Sequence, residues 1–216
     1  MNSAAILALA ALAGTAPPVS SPSRLPPIDQ CATVAGFPEF RSTLLDAIKR
    51  RDSNALLALI SDDILATFGQ GGSGKREFTD TWNLAKPGPD KTSAVWDALG
   101  KALGLGCAWS GDALVSPSII AQIDPMVDGF TTVLAVAPGA ALRTAPSQEA
   151  PVLAALNWEL LTLRETEAGD DWFAVARADG AMGFVRKDQV RSVIDYRAVF
   201  ERRDGRWLIT AFVAGD

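Results

Sequence analysis

The period of the apolar positions changes near residue 131. Before it, Phe37, Phe40, Leu44, Leu45 and Ile48 recur three and four residues apart, as on one face of a helix, and Pro38 suits a first helical turn. This spacing predicts a helix over 38–50. Asp52 is placed to cap a second, short helix carrying Leu56, Leu57 and Ile60, which Ser61-Asp62-Asp63 would end before a strand-like run at 64–68. A glycine-rich turn then leads into a helix over 76–84, with Phe78 and Trp82 one turn apart, and Pro87-Gly88-Pro89 stops it. Val95, Leu99 and Leu103 mark a further helix after Thr92, followed by a glycine-punctuated stretch up to Cys107 and Trp109.

From Thr131 onward, short apolar runs alternate with Pro, Gly, Asp and Asn, a texture of small antiparallel β-structure. Strands are expected at 131–136, 141–143, 152–156, 160–164, 172–177 and 182–185, with Asp179-Gly180 as a tight turn before the last. Runs at 196–202 and 207–213, joined around Asp204-Gly205, form the strongest hairpin signal in the chain. In the second run Trp207, Ile209, Ala211 and Val213 would share one face, with Leu208 and Phe212 on the other. A strand apolar on both faces must be covered on both, and the helices carrying Phe40, Leu44, Phe78 and Trp82 need a sheet to cover them. The predicted class is therefore α+β. A mainly helical N-terminal region, 31–125, is completed by a C-terminal β-hairpin, 195–216, with a small β unit, 131–192, inserted between them.

The N-terminus adds an address. Residues 4–13 are apolar but fall well short of the ~20 needed to cross a bilayer, and Ala11-Leu12-Ala13 supplies a small-x-small cleavage pattern. Residues 1–13 read as a signal peptide, although Lys and Arg are absent from its start, and the proline-rich 14–30 reads as a tether. The expected location is periplasmic or secreted, with no stable membrane span in the mature chain. In such an oxidising compartment Cys31 and Cys107 are disulfide candidates, the alternative being two buried thiols.

Composition removes whole classes of chemistry. The net charge of −5 and pI near 4.8 argue against nucleic acid as a partner, since phosphates call for a basic patch. With no histidine, a Ser-His-Asp triad, a Cys-His pair and an imidazole zinc site are all excluded. No catalytic set, metal or cofactor is assigned.

Ala141-Leu142-Arg143-Thr144-Ala145-Pro146, then Val152-Leu153, Trp172-Phe173-Ala174-Val175 and Gly183-Phe184-Val185, stand in the order of the bacterial SH3-like family: an "LR-x-x-P" strand end, a strand beginning with Trp, and a Gly-aromatic-Val strand. Over about a quarter of the chain the sequence resembles that family. The resemblance implies a small five- or six-stranded barrel that binds cell-wall glycan, peptide or an envelope protein. Arg51-Asp52, Ala55-Leu56, Leu59, Asp62-Asp63 and Gly71-Gly72 more faintly resemble the nuclear-transport-factor-2-like cone fold.

Three groups of residues are then candidates. Trp172 alternates with Phe173 and Val175, so it faces outward if those two fill the core; with Arg143 and Phe184 it forms the ligand-binding set. Asp62 and Asp63, near Trp82, are the only paired carboxylates beside a plausible pocket, and they carry the alternative reading of a small enzyme with a carboxylate base. Gly69-Gln70-Gly71-Gly72-Ser73-Gly74-Lys75-Arg76 nearly spells a phosphate-binding loop, but Arg76 occupies the position of the magnesium-ligating Ser or Thr, and the segment reads as a turn. The leading expectation is an exported, non-catalytic binding or scaffolding protein of the cell envelope.

Overall fold

Helix α1 (Phe37–Arg50) turns Phe37, Phe40, Leu44 and Ala47 inward, leaving none more than 8% exposed. Burying each large side chain contributes about 1.5–3 kcal/mol. The computed structural model, which describes residues 24–69, 73–84 and 92–215, places Asp52 as the cap of α2 (Ser53–Ala58), its carboxylate accepting from Ala55 N–H at 3.0 Å. Ile60 does not belong to that helix. Strand β1 (Ile60–Leu65) begins there, so Ser61, Asp62 and Asp63 lie within a strand instead of ending a helix. The reason is tertiary: Ile209 N–H donates to Leu59 O at 2.9 Å, and the chain is drawn into a sheet before a third helical turn can form. Helices α3 (Lys75–Thr81) and α4 (Val95–Leu103) follow. Next comes a hairpin absent from the sequence expectations, β2 (Ala108–Ser110) and β3 (Ala113–Ser116), turning at Gly111 with φ +60°.

The next seven strands form a sheet of their own. They are β4 (Thr132–Ala135), β5 (Ala141–Arg143), β6 (Val152–Ala155), β7 (Leu160–Leu163), β8 (Trp172–Ala176), β9 (Met182–Arg186) and β10 (Val190–Ser192). Their order is β10-β4-β7-β8-β9-β5-β6, antiparallel throughout. One face encloses Val133, Leu142, Leu161, Val175 and Val185, each at most 2% exposed. The sheet is open, with β10 and β6 as its two edges, and has seven strands where a small five- or six-stranded barrel was expected. Strand β5 is three residues long, pairs with β9 at a single position, and slips register between Leu142 and Arg143, which bends the sheet around its core without joining its ends.

Strands β11 (Arg197–Arg203) and β12 (Arg206–Val213) then return to the first sheet, whose order is β1-β12-β11-β3-β2. Asp204 and Gly205 both take positive φ, 49° and 79°, as a two-residue hairpin turn with the strands' twist requires. The alternation expected along β12 is broken midway. Phe200 pairs with Ile209 and Val199 with Ala211, leaving Thr210 as an extra residue. Ile209 and Phe212 consequently both enter the core under the helices, together with Phe200 and Leu114, whereas the sequence pattern had put them on opposite faces.

Part of the segment expected to be a tether is also structured. Leu25 N–H donates to Trp158 O at 2.8 Å, Gln30 N–H to Cys107 O at 2.9 Å, and the Asp29 carboxylate accepts from Arg41 at 2.8 Å. Backbone groups of Trp158 and Cys107, just before β7 and β2, give this proline-rich stretch hydrogen-bond partners that its composition alone does not reveal. Cys31 and Cys107 form a disulfide, Cα–Cα 5.6 Å, as an oxidising environment permits. The segment expected to be a signal peptide, 1–13, and the start of the expected tether lie outside the described residues. No helix among the described residues is long and apolar enough to cross a membrane.

Candidate functional site

Register decides which sequence-chosen residues meet on the second sheet. Arg143 of β5 stands directly opposite Phe184 of β9, which stands opposite Ala174 of β8; Trp172, two residues before Ala174, shares their face. The three ligand-binding candidates are therefore cofacial, on the side away from Leu142, Val175 and Val185. Their accessibility differs. Trp172 is only 9% exposed, which leaves little of its ring for a ligand, while Arg143 and Phe184 are partly exposed. The Arg143 guanidinium donates to Ala150 O at 2.7 Å and is held along the sheet surface. Around this row stand Met182, 62% exposed, and Val152 and Leu153, both more than half exposed on the edge strand β6. Gly183 lies between the two β9 residues of that face, and a Cβ there would come within 2.5 Å of Arg143 O, so this close β9–β5 contact requires glycine.

Asp62 and Asp63 project to solvent from β1, and each is paired with a cation. Lys75 Nζ lies 2.7 Å from Asp62, and Arg203 bonds Asp63, which also accepts from the Ser61 hydroxyl. The Arg203 hydrogen bond, followed by that of Ser61, lowers the Asp63 pKa to about 2. Trp82 occupies a different environment: it is buried against Phe78, Tyr196 and Phe212, and its Nε1 has no partner among the described residues. Gly74 and Lys75 of the glycine-rich run open α3, while Gln70, Gly71 and Gly72 lie outside the described residues. Among the described residues no group of three Cys, Asp or Glu is placed to hold a metal.

A cleft of about 660 Å³ opens at one end of the first sheet, within the usual size range for small-molecule sites. Its walls are Val34 and Ala35 ahead of α1, Trp109, Ser110 and Asp112 of the β2–β3 hairpin, and Glu201, Arg202 and Trp207 of the β11–β12 hairpin. Phe37 meets Trp207 edge-on at 5.2 Å, and the indole Nε1–H donates to Ala35 O at 3.0 Å, so this ring is fixed before any ligand arrives. Trp109 is 44% exposed, its centroid 6.4 Å from that of Trp207 with the planes 57° apart. Behind the cleft the disulfide joins the segment leading to Val34 with the strand carrying Trp109.

None of the cleft residues belonged to the sequence-chosen sites. Trp109 and Trp207 lie 98 positions apart in the chain, and only the β2–β3–β11–β12 pairing brings them together. The available signal was a tryptophan beside Ser110-Gly111-Asp112, a turn sequence that leaves a large ring next to a loop. Comparison with protein-family models, curated proteins and solved structures finds no match to this chain.

Proposed function

We propose that the protein is an exported, non-catalytic binding or scaffolding protein of the cell envelope. Its seven-stranded unit acts as an SH3-like module that holds a cell-wall or protein ligand on the face carrying Arg143 and Phe184. The observation that carries this reading is the clustering of Val152, Leu153 and Met182, all more than half exposed, at the β6–β5–β9 margin beside a fixed guanidinium. Isolated exposed apolar side chains are ordinary, but three on the strands at one margin of a sheet are a feature of binding surfaces. The rival reading, an enzyme using Asp62 or Asp63 as base, is less well supported. A general base works best with a pKa near the working pH, and Arg203 holds Asp63 at about 2.

The test is co-sedimentation of the purified full chain with isolated sacculi and, separately, affinity recovery from solubilised envelope protein. Val152→Lys/Met182→Lys changes only exposed side chains, so folding should move by no more than roughly 0.5 kcal/mol per site. Recovery by one of the two routes should fall roughly tenfold in this variant, the loss expected from about 1.4 kcal/mol of binding energy. Equal recovery of parent and variant by both routes would overturn the assignment of this face.

A further inference from the structure

We infer that the cleft between Trp109 and Trp207 is a second binding site, and that it takes a neutral saccharide ring. This stands apart from the reading of the second sheet, because its residues belong to the other sheet and to the loop before α1.

Three observations select that chemistry. The first is shape. Two indoles with centroids 6.4 Å apart and planes inclined at 57° leave no parallel slot for a ring to enter between them. Instead they make an open apolar corner, suited to the C–H face of a puckered ring lying on Trp109 with its edge toward Trp207. The second is charge. Asp112 and Glu201 at the rim are accompanied by Arg202, and Arg203 donates to Glu201 through Nη2 at 3.0 Å and Nε at 3.2 Å. Arg203 is shared between Glu201 and Asp63, and with Arg202 in the wall it offsets much of the negative charge, so the aromatic corner is not the purely acidic cage that an ammonium ligand would call for. Carboxylates with free lone pairs and a guanidinium fork are acceptors and donors matched to a ring of hydroxyl groups.

The third observation concerns the backbone. Strand β2 is an edge of its sheet, which ordinarily invites an extended peptide to add as a further strand. Here that edge is already occupied. Gln30 N–H donates to Cys107 O, Cys107 N–H to Ile28 O, and Trp109 N–H to the Gln30 side-chain oxygen, the last at 2.9 Å. Main-chain recognition of a peptide at β2 is blocked by the chain's own N-terminal segment, so a ligand in the cleft must be recognised by side chains. The disulfide between Cys31 and Cys107 holds that segment in place, and the Trp207 wall is fixed before binding by its bond to Ala35 O.

Titration of the full, oxidised chain with an N-acetylglucosamine trimer, a glucose trimer and choline, followed by calorimetry and by the indole N–H resonances, tests the assignment. A neutral trimer should bind saturably by about 10 mM, and Trp109→Ala should weaken it roughly tenfold. Met126→Gln, a highly exposed position that belongs to neither proposed site, should leave the affinity unchanged. Trp109 is half in solvent, and persistence of the Trp207 indole resonance in Trp109→Ala shows that the cleft has kept its form. The inference is overturned if neither trimer binds, if choline binds more tightly than both, or if Trp109→Ala with an intact Trp207 resonance binds as the parent does.

Discussion

Asp63 shows what an exposed residue can and cannot do here. Its carboxylate takes hydrogen bonds from Arg203 and Ser61, which favour the charged form and lower its pKa from 3.8 to about 2. Because the folded value lies below the ordinary one, the pair contributes to stability above the ordinary carboxylate range, and that contribution is lost as pH falls through about 2. Solvent and salt screen so exposed a pair, so the effect belongs to low ionic strength. Arg203→Gln should return the Asp63 midpoint toward 3.8, as read from the pH dependence of its carboxyl carbon resonance. An unchanged midpoint would show that Arg203 does not govern this group. Residue type alone marked Asp63 as a possible base; the partner that makes it a poor one lies 140 positions away.

At the scale of elements, the helices were legible because their cores repeat at three and four residues, as Phe37, Phe40, Leu44 and Ala47 do. Strands β5, β8 and β9 were legible for the matching reason, short apolar runs bounded by Pro, Gly and Asp. The β2–β3 hairpin was not. Three- and four-residue strands are too short to show a period, and Ser116 and Ser118, fully buried by hydrogen bonds to the carbonyls of Ala102, Gly106 and Leu105, look like loop residues in the sequence. The bulge at Thr210 was also invisible, since an extra residue shows only against a partner strand. Between these elements runs the disulfide. Cys31→Ser/Cys107→Ser removes a link across 76 positions, and the chain-entropy account predicts a loss of about 4 kcal/mol. Urea unfolding of the parent and the double variant measures it; a difference below about 1 kcal/mol would mean that the unfolded chain is little constrained by the link.

At the scale of the whole molecule, the two sheets share a third apolar cluster of Ile119, Leu134 and Val193, with Leu25, Trp158 and Ile194 packed against it. Glu159, fully buried, anchors the same region: Arg177 Nε donates to it at 2.9 Å, and Arg24 from the N-terminal segment lies 3.5 Å away. The chain leaves the first sheet after β3 and returns to it at β11, so two of the three inner strands of that sheet, β11 and β12, follow the second sheet in the chain. Ending the chain after Ser192 removes β11 and β12, which leaves β1 with no strand neighbour and β3 with β2 alone. The expected result is loss of the amide dispersion of residues 37–116 with retention of that of 132–192, read by two-dimensional NMR. Should residues 37–116 remain dispersed without the hairpin, the first sheet does not depend on it.

What the sequence determined by itself was whatever local chemistry controls: helix faces, turn sites, the α+β class, the even pair of cysteines, and the exclusion of histidine chemistry. Those follow from propensity and period, which act over a few neighbours. Tertiary structure decided the rest. It opened the second sheet, buried Trp172, tied Asp63 to Arg203, folded residues 24–30 against both sheets and set Trp109 beside Trp207. Each of these depends on a contact between residues distant in the chain, whose formation is governed by register and core packing, and neither is written in the order of the residues on either side.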